Sequence, residues 1–200
     1  MSHKISIFAP KYQAKPMIFQ STEIDGVTVI TPKVFGDARG YFSEVWRRDL
    51  FEQNCGSIEF VQDNESLSSR GVIRGLHFQA GASSQAKLVR VSEGTVIDVA
   101  VDLRRQSATF GRHIAVELSA DNHRQLFVPR GFAHGFAVLS PTARFQYKVD
   151  NTYDPSAEVT LRFDDPALGI DWPVFEHPLL SPKDMCGLTL DEIVRQGLTF

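Results

Sequence analysis

From Glu23 onward the chain is cut into short β-branched and aromatic segments by Gly, Pro, Asn and Asp, and this punctuation constrains the fold more than any single motif does. Residues 27–30 are β-branched and stop at Thr31-Pro32, Gly36-Asp37-Ala38-Arg39-Gly40 reads as a turn, and residues 41–46 alternate as a strand. Further strands are expected at 59–64, 71–79, 86–91, 95–102, 112–118, 125–128, 135–139, 144–150 and 158–163. Only 47–54, closed by Asn54-Cys55-Gly56, and 190–196 read as helices. No βαβ alternation and no internal repeat interrupts the pattern, so the expected class is all-β. Fifteen Phe fit this class, because aromatic side chains pack well on pleated surfaces.

Many short strands without a long helix suit a cupin-type jelly-roll β-sandwich or barrel with short peripheral helices, able to enclose a small ligand at its open end. Residues 23–185 are expected to form this domain, with an N-terminal tail or arm over 1–22 and a C-terminal tail or short helix over 186–200. The net charge of −3, with Lys and Arg scattered, argues against a nucleic-acid surface. No apolar run approaches the roughly 18 residues that would span a membrane. Lys4 is followed by no apolar core and no small-residue cleavage site, so no signal peptide is expected. Cys55 and Cys186 lie far apart without CxxC spacing and read as reduced thiols of a cytoplasmic protein.

Two segments carry candidate chemistry. In Arg74-Gly75-Leu76-His77-Phe78-Gln79, strand alternation puts His77 and Gln79 on one face and the apolar pair on the other. In Gln85-Ala86-Lys87-Leu88-Val89-Arg90, Lys87 shares a face with Val89, opposite Leu88 and Arg90. A cation and an imidazole turned together into an open barrel can hold an anion and move a proton. The second segment, Pro129-Arg130-Gly131-Phe132-Ala133-His134-Gly135-Phe136, has the Pro-x-Gly-x-x-His spacing that resembles the second motif of cupins, where the histidine often binds metal. The chain has no His-x-His, so a three- or four-ligand metal site is not expected. His134 then reads either as a barrel histidine or as a contact to an anionic or hydroxyl-bearing ligand.

Tyr147 shares a strand face with Phe145, while Lys148 points away. A tyrosine among apolar neighbours is a core residue with a satisfied hydroxyl or, in a cleft, a general acid. Asp184 follows the turn Leu180-Ser181-Pro182-Lys183 and reads either as a loop carboxylate or as the orienting partner of His77. Arg39, Glu44, Gln62, Asn64 and Glu158 are ordinary polar residues of strands and turns when taken singly. The chain carries no dinucleotide-binding fingerprint, P-loop or nucleophile elbow.

Taken together, these motifs resemble the dTDP-4-dehydrorhamnose 3,5-epimerase family, a branch of the cupins. The likeness runs from about Gly26 to Asp184, through Val34-Phe35-Gly36-Asp37-Ala38-Arg39-Gly40-Tyr41-Phe42, Val61-Gln62-Asp63-Asn64, the two segments above and Ser181-Pro182-Lys183-Asp184. The resemblance implies His77 as base, Asp184 as its partner, Tyr147 as acid on the opposite face of the sugar, and Lys87 as the cation that stabilises an enolate oxygen. It implies that Arg74 and His134 contact the substrate, that Arg39, Glu44, Gln62, Asn64 and Glu158 line the nucleotide pocket, and that Lys183 binds beside them. It further implies a dTDP-sugar as the small-molecule ligand, no metal or redox cofactor, and a homodimer with exchanged strands whose subunits border each other's pockets. Inversion of one centre only, a metal-dependent cupin activity and a non-catalytic nucleotide-sugar binder are the competing expectations. The tail, the small-residue loop 80–84 and Thr152 ahead of Tyr153 depart from the family pattern.

Overall fold

The computed structural model describes residues 17–200; the part of the expected N-terminal arm before Met17 lies outside the described residues. In chain order the elements are β1 (Ile18–Ser21), β2 (Thr28–Thr31), β3 (Val34–Asp37), β4 (Gly40–Ser43), α1 (Arg48–Cys55), β5 (Gln62–Ser69), β6 (Ile73–Gln79), β7 (Lys87–Glu93), β8 (Thr95–Asp102), β9 (His113–Ser119), β10 (Gln125–Val128), β11 (Phe132–Val138), β12 (Thr142–Val149), β13 (Glu158–Thr160), α2 (Pro182–Met185) and α3 (Leu190–Arg195). A six-stranded sheet has the order β1-β2-β10-β7-β12-β5 and a five-stranded sheet the order β13-β6-β11-β8-β9. Neighbours within these sheets are antiparallel. β3 and β4 form a hairpin of their own.

The two sheets face each other across a core supplied by alternate residues of each strand. Val89, Val91, Ala143 and Phe145 from the larger sheet meet Val96, Ala100, Phe132, Phe136 and Val138 from the smaller. Phe136 and Phe145 stack across that interface with centroids 4.1 Å apart. The outer face of the smaller sheet (Leu76, Phe78, Val99, Val101, Ala133) is covered by the returning C-terminal chain through Leu168, Ile193, Leu198 and Phe200. The outer face of the larger sheet is covered by Phe51 of α1 with Trp46 and Phe60, packed on Ile30, Leu88 and Phe127. Both sheets therefore carry apolar residues on both faces, which is why several strands read as continuous apolar runs rather than clean alternations. This is the expected jelly-roll architecture of the cupin type.

Local rules account for the helix ends. Thr189 caps α3 by accepting from the Glu192 backbone N–H, and the Glu192 side chain returns a bond to the Thr189 N–H. Ser181 caps α2, with Pro182 in the first turn. Strand bounds shift where pairing outweighs composition. The strand expected at 59–64 starts at Gln62 and continues to Ser69, because β12 pairs with it over the full range from Val149↔Gln62 to Thr142↔Ser69. β13 ends at Thr160, and Leu161 exchanges backbone hydrogen bonds with Leu76.

Candidate active site

The site is built where β6 crosses β11. His134 lies opposite His77 and Phe136 opposite Arg74, so β6 uses one more residue than β11 between these pairs. That bulge turns both Arg74 and His77 towards the cleft, although strict alternation would put them on opposite faces. Gly75 permits it: its φ is +100°, and a Cβ there would sit 2.6 Å from the His134 carbonyl oxygen. Gly135 supplies the matching gap on β11, where a Cβ would lie 2.4 Å from the Arg74 oxygen.

His77 is held from behind. The chain at Leu179 is pinned to the start of β6 by bonds from the Ile73 N–H to the Leu179 oxygen and from the Leu179 N–H to the Gly71 oxygen. Pro182 then turns the chain into α2, which delivers Asp184. His77 Nε2 donates to Asp184 Oδ1 at 2.5 Å, and Ser181 Oγ donates to Asp184 Oδ2 at 2.7 Å. Burial pushes the Asp184 carboxyl up, but the hydrogen bonds from His77 and Ser181 outweigh it and hold the group below the ordinary Asp range. With Nε2 committed to this carboxylate, Nδ1 is the ring nitrogen left to accept a proton. The His77 side chain is 25% exposed, reachable from the cleft.

Lys87 enters from the facing sheet. It lies on the inner face of β7, in line with Val89 and Val91, as the alternation requires. Its ammonium donates to the His77 carbonyl oxygen at 3.2 Å. Burial drives its pKa down to about 8, opposed by the negative charges of Asp98 and Glu158.

Tyr147 comes from the same larger sheet, on β12, packed beside Phe145 with ring centroids 6.2 Å apart. Burial first and the nearby Glu158 second raise its pKa, so the phenol keeps its proton at neutral pH. Gln62 and Asn64 flank it on β5, in register through Val149↔Gln62 and Tyr147↔Asn64, and bond to each other at 2.8 Å. Arg74 reaches the same end of the cleft, with Nε donating to Ser68 Oγ at 2.9 Å.

A charged rim completes this end. Glu158 on β13 accepts from Lys183 Nζ at 2.8 Å and from Tyr153 Oη at 2.9 Å. His134 lies deeper, with Nε2 at 3.0 and 3.1 Å from the two oxygens of Asp98. The fold thus brings together His77, Asp184, Lys87, Tyr147, His134, Arg74, Gln62, Asn64, Glu158 and Lys183. Arg39 and Glu44 stand apart from them. Arg39 sits on the β3–β4 turn with its side chain 90% exposed and paired with Asp37, and Glu44 pairs with Arg47. Among the described residues, no group of three or more His, Cys, Asp or Glu side chains is arranged to hold a metal ion.

Asp98, Ser181 and Tyr153 also border the site, although the sequence assigns none of them a role there. Only the first carried a usable signal: a lone carboxylate inside Val96-Ile97-Asp98-Val99-Ala100-Val101 is a buried charge in need of a partner.

A cupin-type jelly roll that gathers an oriented histidine from one sheet with a buried lysine and a half-buried tyrosine from the other is a scaffold suited to proton transfer. Comparison with known proteins narrows the class. The family model for dTDP-4-dehydrorhamnose 3,5-epimerase matches residues 21–192, and the chain belongs to that family. It is 50% identical over 177 residues to the dTDP-4-dehydrorhamnose 3,5-epimerase of Salmonella typhimurium, an alignment covering 88% of this chain and 97% of that protein. A crystal structure of a dTDP-6-deoxy-D-glucose-3,5-epimerase from Legionella pneumophila, in complex with dTDP-4-keto-L-rhamnose, superposes with a TM-score of 0.88 at 46% identity, covering 92% of this chain and 97% of that one. A 3'-monoepimerase from Streptomyces bikiniensis, in complex with dTDP-quinovose, gives a TM-score of 0.84 at 34% identity, covering 89% and 90% of the two chains.

Proposed function

We propose that the protein epimerises a dTDP-4-keto-6-deoxyhexose, converting dTDP-4-dehydro-6-deoxyglucose to dTDP-4-dehydro-L-rhamnose. The observation that carries this reading is the placement of His77 and Tyr147 on facing sheets, with Lys87 buried on the sheet of Tyr147 and bonded to the His77 carbonyl oxygen. The C4 ketone of such a sugar acidifies the C–H bonds at C3 and C5. His77 Nδ1 takes one of these protons, and negative charge gathers on the C4 oxygen. The Lys87 ammonium stabilises that charge from a buried position, where a fixed cation is worth far more than in solution. Tyr147 returns a proton to the opposite face, and the centre inverts. One imidazole serves both carbons because they flank the same carbonyl. The residues themselves supply the proton transfers, without a metal or redox cofactor.

Arg74, His134, Gln62, Asn64, Glu158 and Lys183 bind the substrate, with Arg74 at the pyrophosphate. Arg39 and Glu44 serve the partner's pocket in a homodimer with exchanged strands. This assignment is supported by the hairpin β3–β4 standing outside both sheets with Tyr41 65% and Phe42 68% exposed. The catalytic domain is taken as 23–185, preceded by an N-terminal tail or arm and followed by a C-terminal tail or short helix, and the reaction is placed in the cytoplasm, consistent with the two free thiols. Among the described residues no helix is long and apolar enough to cross a membrane. Inversion at one centre only is the second reading, favoured by the likeness to the Streptomyces bikiniensis monoepimerase. Product analysis by proton NMR separates the two: inversion at both C3 and C5 supports the first reading, inversion at one carbon supports the second, and unaltered sugar overturns both.

A further inference from the structure

We propose that Asp98 is a positioning residue for this chemistry: it fixes the tautomer of His134 and supplies the negative charge that holds the buried Lys87 ammonium in the cleft. The proposal rests on the epimerase reading for its kinetic consequences, but its structural basis is independent of it.

Asp98 lies on the inner face of β8, in line with Val96 and Ala100 of the central core. Its side chain is 0% exposed and that of His134 7% exposed. The strand register sets the pair diagonally, since Asp98 is opposite Phe136 and His134 opposite Ala100. Both Asp98 oxygens converge on His134 Nε2, at 3.0 and 3.1 Å. A carboxylate only accepts, so Nε2 carries the hydrogen and Nδ1 is the nitrogen left for a ligand. One shared N–H is poor compensation for a carboxylate wholly removed from water. Lys87 has the complementary deficit: it is 8% exposed and, among the described residues, donates only to the His77 carbonyl. Of the charges acting on Lys87, Asp98 has the largest influence, ahead of Glu158.

The remaining groups around Lys87 do not replace it. Glu158 on β13 is already engaged by Lys183 and Tyr153. Asp184 on α2 is engaged by His77 and Ser181. Lys183 repels Lys87. His134 on β11 and Tyr147 on β12 bring no fixed negative charge. β10 has no titratable side chain, and β9 turns Ile114 and Val116 into the core rather than His113 or Glu117.

The test compares kcat against pH, for conversion of dTDP-4-keto-6-deoxyglucose, in the wild type, Asp98→Asn and Glu158→Gln. Asp98→Asn is expected to lower kcat about tenfold or more and to move the alkaline limb of the profile down by about one pH unit. Glu158→Gln is expected to move it less. A fall in kcat with an unmoved limb would mean that Asp98 is merely structural and overturns the proposal. If Asp98→Asn does not fold, ¹⁵N NMR of histidine-labelled wild type decides: hydrogen on Nε2 of His134 supports the proposal, and hydrogen on Nδ1 with bare Nε2 overturns it. A wild type that folds but turns over no sugar defeats the epimerase reading alone, because the NMR outcome still stands.

Discussion

His77 and His134 stand directly opposite each other on β6 and β11, and each commits its Nε2 to a different buried carboxylate, Asp184 or Asp98. The two imidazoles are thereby oriented alike but exposed differently. His77 opens to the cleft, whereas His134 is enclosed beside the Phe145 ring, 6.1 Å between centroids. Exposure therefore separates His77, the proposed base, from His134, the proposed substrate contact.

Replacing Asp184 with Asn should leave the fold intact and lower kcat about 100-fold or more, because the amide no longer holds the His77 tautomer. Asp184 also contributes stability with a definite pH sign. Its folded pKa is depressed, so its contribution is present above the unfolded Asp value and is lost as pH falls through the folded one. Urea melts of wild type and Asp184→Asn should therefore converge as the solution is acidified. A gap that stays constant into strong acid would contradict this.

Lys87→Met should reduce kcat about 100- to 1,000-fold with little change in KM, since the cation acts on charge that develops during reaction. Stability should move the other way. The Lys87 pKa is about 8 in the fold against 10.5 for the free side chain. Between those values the unfolded chain binds the additional proton, so wild-type stability rises with pH. Across that window the wild type should gain on the order of 3 kcal/mol relative to Lys87→Met, measured by denaturant unfolding.

Gly75→Ala should destabilise the protein by about 2–3 kcal/mol, from the positive φ together with the clash against the His134 carbonyl. Thermal melts would register the loss. The bulge also explains what was and was not legible in the sequence. Alternation correctly put Lys87 with Val89, Leu88 with Arg90, and Tyr147 with Phe145, because β7 and β12 carry these residues in regular stretches. Alternation alone would put Arg74 and His77 on opposite faces, because an extra residue in a ladder leaves no periodic trace. Asp98 has no role legible in the sequence because a carboxylate in an apolar strand declares a need for a partner without naming it; His134, 36 positions on, becomes that partner only through the β8–β11 register.

The proposed dimer can be checked by mixing two inactive or impaired variants, Arg39→Ala and His77→Asn, under conditions that exchange subunits. If Arg39 serves the partner's pocket, mixed dimers contain one site with both residues intact, and activity should exceed the sum of the parents. Activity no greater than that sum would place Arg39 outside the partner's site.

Solvent deuterium reads both halves of the proposed reaction, proton removal by His77 and return by Tyr147 from the opposite wall. Wild type incubated with dTDP-4-keto-6-deoxyglucose in D₂O should place deuterium at C3 and C5 of an inverted product. Tyr147→Phe should still exchange while inverting about 100-fold more slowly, and His77→Asn should do neither. Undiminished deuterium incorporation by His77→Asn would mean that His77 is not the base.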